Sequence, residues 1–406
     1  MVGKPSGRKG MEKLGRRQVI KAGLGLLGAA AASRFSFALG QGSQPIRIGV
    51  VLSYSGPFAR LGQEITRGME LYLEKVGGQA GGRPIQLLKE DEEADPAVAV
   101  RKVRKLVEQD KVDLLAGIIL SSSAYAVRDY VHERQIPTVV ANAAANDITR
   151  ARKSPYVFRT SISAWQQHYP MGAWVARNVG KRVFVVALDY AFGKESTAAF
   201  KESFLEAGGQ VVGEVYSPLG TTDFSAVIAR ITASRPDAVF GVLSGSDAVI
   251  FLRQYAQFGL NRAIPLAVSG EVTDENVLEA IGEAALGAKS CDHWVYTLNN
   301  SANREFVQAY RRKYGGVPNH FAVRGYDAMQ FIVDAINTVR GDVSNRRRLV
   351  EALKTAKIIS PRGFVQMDPE TNNATQHVYV REVVRMENFF TNRLIADLGT
   401  VRDPGK

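Results

Sequence analysis

The chain has 406 residues, of which 45% are hydrophobic and 23% charged, so its composition excludes a disordered or fibrous protein and its length predicts two domains. Residues 1–38 carry eight basic residues and one acidic residue, so they account for +7 of the net charge of +12. The remaining charge forms no basic groove with interleaved aromatics, and we predict no nucleic-acid binding. The single cysteine, Cys291, excludes an intrachain disulfide and is interpreted as a core residue.

The N-terminal segment has the pattern of an export signal. Residues 15–21 run Gly-Arg-Arg-Gln-Val-Ile-Lys, and the apolar run 22–32 that follows is shorter than the about 20 residues needed to span a bilayer. Paired arginines before such a run are typical of twin-arginine signals, and Ser-Phe-Ala at 36–38 fits a cleavage site. We predict a signal peptide over 1–38 and a soluble periplasmic protein; the alternative is a disordered basic arm.

From residue 45, short apolar runs alternate with amphipathic helical patterns. Asp95 followed by Pro96 predicts a helix N-cap with proline in the first turn. This alternation predicts parallel strands joined by right-handed helical crossovers, with helices on both faces of the sheet. The predicted strands are 46–52, 85–88, 112–120 and 138–141, and the predicted helices are 65–76 and 96–107.

The same pattern then occurs a second time. Gly81-Gly82, a strand, Asp95, a helix and a strand are matched in order and spacing by Gly208-Gly209, a strand, Asp223, a helix and a strand. The match predicts an internal repeat of an α/β lobe; chance likeness of common α/β patterns is the alternative. The second set comprises strands 183–188, 211–216, 237–243 and 265–268 and helices 194–207, 224–233 and 247–258.

The C-terminal part holds too few elements for a third domain. Helices are predicted over 303–314, 325–339 and 346–354, and strands over 363–367 and 376–384. We predict that the chain returns to complete the first lobe and ends on the second, with the first junction at 156–160. Lobe 1 would then comprise 44–160 and 291–365, and lobe 2 would comprise 161–290 and 366–402.

Ligands of open parallel sheets bind beyond the carboxyl ends of the strands. In the first lobe, Ser121 and Ser122 lie between a predicted strand and a helix, where hydroxyls and free backbone N–H groups favour a carboxylate. Plain N-capping is the alternative. In the second lobe, the residues in the equivalent positions are Tyr190, Phe192, Ser244 and Glu271. Tyr190 suits an interlobe site or caps the core, and Glu271 either pairs with an ammonium or is solvated.

Motifs for covalent chemistry are missing from the sequence. There is no G-x-S-x-G, no H-E-x-x-H, no P-loop and no G-x-G-x-x-G after a strand, and the five histidines are scattered. The acidic run 91–93 precedes a helix cap and is interpreted as solvated loop rather than a metal site. We predict no catalytic residue, no metal and no cofactor, with an α/β enzyme as the lesser alternative.

Five short motifs occur in an order that is similar to one known family. They are Ser55-Gly56-Pro57, Ser121-Ser122-Ser123, Phe158-Arg159-Thr160, Asp189-Tyr190-Ala191-Phe192-Gly193 and Gly325-Tyr326-Asp327. Over about 45–384 the chain resembles the leucine/isoleucine/valine-binding family of type I periplasmic binding proteins, the receptors of ABC importers. The resemblance implies two Rossmann-like lobes joined by three hinge strands, a small-molecule solute held in the cleft by hinge closure, an ABC permease as partner, and a monomer.

The resemblance also implies roles for individual residues. Ser121 would hold the carboxylate of the ligand, and the backbone carbonyl of Ala143 would accept from its ammonium. Glu271 falls where the family places the partner of that ammonium, and Tyr326 would lie at the rim of the cleft.

Two positions depart from the family pattern. Ala145 stands where relatives that bind branched-chain amino acids have Thr, and Leu61 stands where they have the Tyr that walls the pocket. Segments 142–147 and 154–156 look more like relatives linked to aromatic carboxylates. Glu271 favours an amino acid and the other changes favour an aromatic or aliphatic acid, so both ligand classes stay open. A sensor that feeds a signalling partner is the alternative to an importer.

Overall fold

The computed structural model describes residues 44–406, which form strands and helices in alternation. The predicted signal peptide over 1–38 lies outside the described residues. The strands are β1 (Ile46–Leu52), β2 (Gln79–Ala80), β3 (Arg83–Asp91), β4 (Leu114–Gly117), β5 (Thr138–Val140), β6 (Val157–Arg159), β7 (Arg182–Leu188), β8 (Gln210–Ser217), β9 (Ala238–Val242), β10 (Leu266–Ser269), β11 (Lys289–Asp292), β12 (Lys357–Ser360), β13 (Gly363–Asp368), β14 (Asn373–Met386) and β15 (Phe389–Val401). The helices are α1 (Ala59–Lys75), α2 (Pro96–Glu108), α3 (Ser121–Glu133), α4 (Ala164–Asn178), α5 (Ala191–Glu206), α6 (Ser225–Ser234), α7 (Gly245–Gln257), α8 (Leu260–Ala263), α9 (Glu275–Ile281), α10 (Ser301–Tyr314), α11 (His320–Thr338) and α12 (Arg346–Thr355).

The strands form two mainly parallel sheets of the same topology. In the first sheet β1 lies between β3 and β4, and β5 and β6 follow in order. In the second sheet β7 lies between β8 and β9, and β10 and β11 follow in order. This equivalence confirms the predicted α/β fold class and its internal repeat.

The long strand β14 connects the two sheets. Its first residue, Asn373, pairs with Arg159 at the end of β6, and its later residues pair antiparallel with β11 and β15. A single residue pair therefore joins β14 to the parallel strands of the first sheet, so the two parallel parts meet only through β14. The residue boundaries of the two lobes remain a prediction.

Both faces of each sheet are buried, as expected for parallel strands covered by helices. In β1, Ile48 and Val50 enter one core cluster while Val51 enters another on the opposite face. In β7, Val186 and Val185 are divided between two clusters in the same way. The hydrophobic effect therefore acts on both sides of each central strand, which accounts for their near-continuous apolar sequences.

The strand predicted over 112–120 is shorter in the structure, where β4 covers only Leu114–Gly117. Gly117 has φ 118° and Ile118 has φ 66°, so the chain turns out of the sheet after β4. A β-branched residue in the left-handed region is strained, and strain of this kind clusters at functional sites. The turn also brings Gly117 close to Val51, whose carbonyl oxygen would lie 2.3 Å from an added Cβ.

Helix caps explain where two helices begin. Asp95 accepts hydrogen bonds from the backbone N–H groups of Ala97 and Val98 at 2.6 and 3.2 Å, which confirms the predicted cap of α2. The helix predicted from residue 325 begins five residues earlier, because Asn319 caps α11 by accepting from the N–H of Ala322 at 3.0 Å. Among the helices of residues 44–406, none is both long and apolar enough to cross a membrane.

Candidate functional site

A largely apolar cavity of about 380 Å³ lies at the carboxyl ends of strands from both sheets. Its walls come from the segments that follow β1, β3, β4 and β5 in the first sheet and β7, β8, β9 and β10 in the second, and from the first turns of α11. The lining residues are Pro57, Phe58, Leu61, Ala94, Ile119, Leu120, Ser121, Ser122, Asn142, Ala144, Tyr190, Ala191, Phe192, Leu219, Ser244, Glu271, Phe321 and Arg324. An apolar cavity with a few convergent polar groups is the usual form of a small-molecule site.

Ser121 and Ser122 begin helix α3 at the wall of the cavity. The residue before them, Leu120, provides no side-chain cap, so the first N–H groups of the helix remain available to a ligand. The Ser121 hydroxyl oxygen accepts from the N–H of Ala145 at 3.1 Å. Its own proton is then free to donate, and a carboxylate at this point meets a hydroxyl, free N–H groups and the positive end of a helix.

A buried carboxylate supports the segment that leads into α3. Glu92 accepts from the backbone N–H of Ile119 at 2.9 Å and from the hydroxyl of Ser53 at 3.1 Å. Burial raises the pKa of Glu92, and these hydrogen bonds offset the rise only in part. Glu92 therefore fixes the backbone on which the lining residues Ile119 and Leu120 stand.

An ion pair crosses the cavity from one sheet to the other. Arg324 of α11 donates from Nη2 to Oε1 of Glu271, after β10, at 3.1 Å, and from Nη1 to Oδ1 of Asn142 at 2.8 Å. The second oxygen of Glu271 accepts from Nε2 of Gln167 at 3.1 Å. Burial opposes ionisation of Glu271, but the positive charge of Arg324, together with His320 and His168, keeps the pKa of Glu271 below its ordinary value.

A buried charged cluster lies behind this pair. The carboxylate of Asp292 is 3.8 Å from Arg324, 3.4 Å from Arg381 and 2.7 Å from the ring of His320. Burial opposes ionisation of Asp292 as well, but His320, His293 and Arg381 keep its pKa well below the ordinary value. Arg324 is thus held between two carboxylates.

The second sheet contributes an aromatic wall. Tyr190 and Phe192 have ring centroids 6.0 Å apart, and Ser244 lines the cavity on the same side. Burial raises the pKa of Tyr190, so the side chain stays a neutral phenol. This wall presents ring faces and hydroxyl groups without charge.

Two contacts join the first sheet and its helices to the second across the edges of the cavity. The N–H of Asn146, after β5, donates to the carboxylate of Glu195 on α5. On α1, Arg60 donates from Nε to Oδ1 of Asn276 on α9 at 3.0 Å. Both contacts depend on the present distance between the two halves of the molecule.

Seven of the predicted site residues line the cavity and three do not. The seven are Leu61, Ser121, Ser122, Tyr190, Phe192, Ser244 and Glu271. Ala143 is 1% exposed and Ala145 is fully buried; the N–H of Ala145 donates to Ser121 and its carbonyl accepts from Arg159. Tyr326 is placed away from the cavity, because α11 directs it into an aromatic cluster with Tyr72 and Phe306.

The sequence prediction missed several lining residues. Phe321 and Arg324 lie in the first turns of α11, ahead of the start predicted for this helix. Phe58 directly follows the motif at 55–57, and Asn142 begins the small-residue segment after β5, so both had a local signal. Leu219 follows β8, and no local signal in the sequence pointed to it. It is 52% exposed although it lines the cavity.

The fold and the site together define a small-molecule binding protein. In the described chain no group of three or more His, Cys, Asp or Glu residues is arranged to hold a metal ion. The sequence profile of the family described as periplasmic binding protein matches residues 45–388. The chain belongs to this family, whose members are substrate-binding proteins of ABC transporters and not enzymes, which confirms the predicted class.

Similar proteins include one curated relative and two solved structures. The Leu/Ile/Val-binding protein homolog 6 of Brucella melitensis is 35% identical over 367 residues, which cover 89% of this chain and 93% of the relative. An ABC transporter substrate-binding protein from Sphaerobacter thermophilus is 37% identical, with a TM-score of 0.86 over 89% of this chain and 100% of that one. A solute-binding protein of R. palustris, solved in complex with benzoate, is 35% identical, with a TM-score of 0.83 over 89% and 98%.

Proposed function

We propose that this chain captures a small aromatic carboxylate in the cavity and delivers it to the permease of an ABC importer. The observation that carries the proposal is the combination of apolar walls with one anion-binding corner. Phe58, Leu61 and Phe321 supply apolar surface on one side, and Tyr190 and Phe192 supply it on the other. A flat ring fits between such walls because aromatic rings favour edge and face contacts with one another.

The carboxylate would bind at the start of α3. Ser121 and Ser122 offer hydroxyl donors, and the uncapped helix offers N–H groups. Charge-assisted hydrogen bonds of this kind are stronger than neutral ones, so this corner would orient the acid with its ring toward Tyr190 and Phe192. The benzoate complex of the R. palustris relative supports the same ligand class.

Binding would close the two lobes over the ligand. The polar corner belongs to the first sheet and the aromatic wall to the second, so a ligand that touches both stabilises the closed arrangement. The contacts of Arg60 with Asn276 and of Asn146 with Glu195 would form on closure. The lobes would be 44–160 with 291–365 and 161–290 with 366–402, and the single pair of Arg159 with Asn373 would lie in the hinge.

The protein would act in the periplasm after removal of a twin-arginine signal over 1–38. Paired arginines, a short apolar run and the Ser-Phe-Ala site support this route. In that compartment a single cysteine suffices, because the core is large enough to stabilise the fold without disulfides.

A branched-chain amino acid is the second candidate ligand. The curated relative is a Leu/Ile/Val-binding protein homologue, and the carboxylate of Glu271 lines the cavity. A thermal-shift screen of the purified protein would separate the candidates, because a ligand that binds only the folded state raises the melting temperature. We expect benzoate-type acids to raise it more than leucine, isoleucine or valine; the reverse order would contradict the aromatic assignment.

A further inference from the structure

Two residues carry all of the charge among those that line the cavity. They are Glu271 and Arg324, and they pair with each other at 3.1 Å. The carboxylate in the lining is therefore already paired with a cation, and a ligand ammonium would find no free carboxylate there. The pair is also well shielded, since the side chains of Arg324 and Glu271 are 2% and 11% exposed.

Each partner is held in place by groups of its own half of the molecule. Asn142, after β5, accepts from Nη1 of Arg324 at 2.8 Å. On the other side, Nε2 of Gln167 donates to Glu271 at 3.1 Å and to the carbonyl oxygen of Cys291 at 3.0 Å. These hydrogen bonds set the orientation of both side chains independently of any ligand.

We propose that Arg324 is a specificity-determining residue that excludes acids with an ammonium group by neutralising Glu271. This inference rests on the proposed function and narrows its ligand class. An ammonium at Glu271 would either displace the guanidinium, so that buried Arg324 loses one of its two carboxylate neighbours, or remain beside it as a like charge. An acid without an ammonium leaves the pair intact and meets only the donors at Ser121 and Ser122.

Two ligands that differ only in the ammonium test the inference. They are 3-phenylpropanoate and phenylalanine, titrated calorimetrically into the full chain, Arg324→Met and Glu271→Gln, with thermal melts to verify folding. We expect the wild type to bind 3-phenylpropanoate more tightly by about tenfold or more. Arg324→Met should reduce the ratio of the two affinities by about tenfold or more, because Glu271 becomes free to accept the ammonium. Glu271→Gln should not reduce this ratio.

A ratio that is the same in the wild type and in Arg324→Met would overturn the inference. If Arg324→Met does not fold, the double variant Arg324→Met with Glu271→Gln replaces it, because it leaves neither charge unpaired. The ratio of the two affinities should then fall from Glu271→Gln to the double variant, because the double variant removes the like charge of Arg324 beside the ammonium. An unchanged ratio would show that Arg324 does not act on the ammonium and would overturn its role. Failure of the wild type to bind any aromatic acid, benzoate included, would instead contradict the proposed function, and this inference would be lost with it.

Discussion

Nε of Arg60 and Oδ1 of Asn276 lie 3.0 Å apart and join helix α1 to helix α9. Helix α1 packs on the first sheet through Ile65 and Met69, whereas α9 packs on the second sheet through Leu278. The hydrogen bond therefore spans the two halves of the molecule at the edge of the cavity. A contact of this kind affects ligand release if the halves separate when the ligand leaves.

Arg60→Ala should accelerate ligand dissociation. Loss of this one partly buried hydrogen bond should raise the dissociation rate by about threefold to tenfold and leave the association rate nearly unchanged. Stopped-flow fluorescence with an aromatic acid measures both rates. Arg101→Ala, which removes an exposed arginine of α2, is the matched control, and equal dissociation rates in the two variants would show that the contact plays no part in closure.

Ser121→Ala together with Ser122→Ala should weaken carboxylate binding. Removal of two hydroxyl donors to a charged group should cost about 2 kcal/mol or more of binding free energy, since hydrogen bonds to charged groups contribute about 1.5–3 kcal/mol each. Isothermal titration calorimetry with benzoate measures the loss.

Ser225→Ala is the control for the serine variant, because Ser225 also begins a helix but does not line the cavity. Its affinity for benzoate should equal that of the wild type. Unchanged affinity in the Ser121/Ser122 double variant would show that the ligand carboxylate does not bind at the start of α3.

The buried carboxylate of Glu92 should make stability depend on pH. Its pKa is raised in the folded state, so folding favours the protonated form, and the unfavourable contribution of Glu92 grows as the pH rises above its ordinary value of 4.5. The melting temperature of Glu92→Gln minus that of the wild type should therefore increase with pH in this range.

Thermal melts of Glu92→Gln, the wild type and Glu93→Gln from pH 4 upward would test this dependence. Glu93 is the exposed neighbour, and its substitution should give a difference that is flat with pH. If the melting-temperature difference between Glu92→Gln and the wild type also stayed constant with pH, Glu92 would not favour its protonated form in the folded protein.

Asp327→Asn should strongly destabilise the fold. Asp327 and Arg362 form a fully buried ion pair at 2.6 Å, and Arg362 also donates to the carbonyl of Thr160. Breaking a buried pair typically costs about 3–5 kcal/mol, because the remaining charge stays buried without its partner. Chemical denaturation measures the loss. Asp334→Asn, at an exposed position of the same helix, should change the free energy of unfolding little, and equal losses would contradict this assignment.

Local signals predicted most of the fold. The apolar runs of β1 and β7, the cap at Asp95 and the repeated glycine pairs gave the strands, the helices and the two-sheet organisation, because these signals depend on neighbouring residues. The path of residues 118–120 could not be predicted, since a left-handed Ile118 depends on tertiary contacts such as the hydrogen bond from its N–H to Val51.

The candidate site was predictable only where it follows a strand. Ser121, Tyr190 and Glu271 were found because the carboxyl ends of parallel strands meet at one edge of a sheet. Arg324 reaches the cavity from a helix that lies far along the chain, and its pairing with Glu271 over 53 positions leaves no trace in the local pattern. Tyr326 illustrates the opposite error, since its position two residues beyond Arg324 on the helix directs it into the core.

A crystal structure of the protein with benzoate bound would show directly whether the start of α3 binds the carboxylate. We expect the carboxylate to lie within hydrogen-bond distance of Ser121 and Ser122. The ring should lie between Phe58 and Phe321 on one side and Tyr190 and Phe192 on the other. A benzoate outside this cavity, or one whose carboxylate points away from the start of α3, would contradict the proposed binding site.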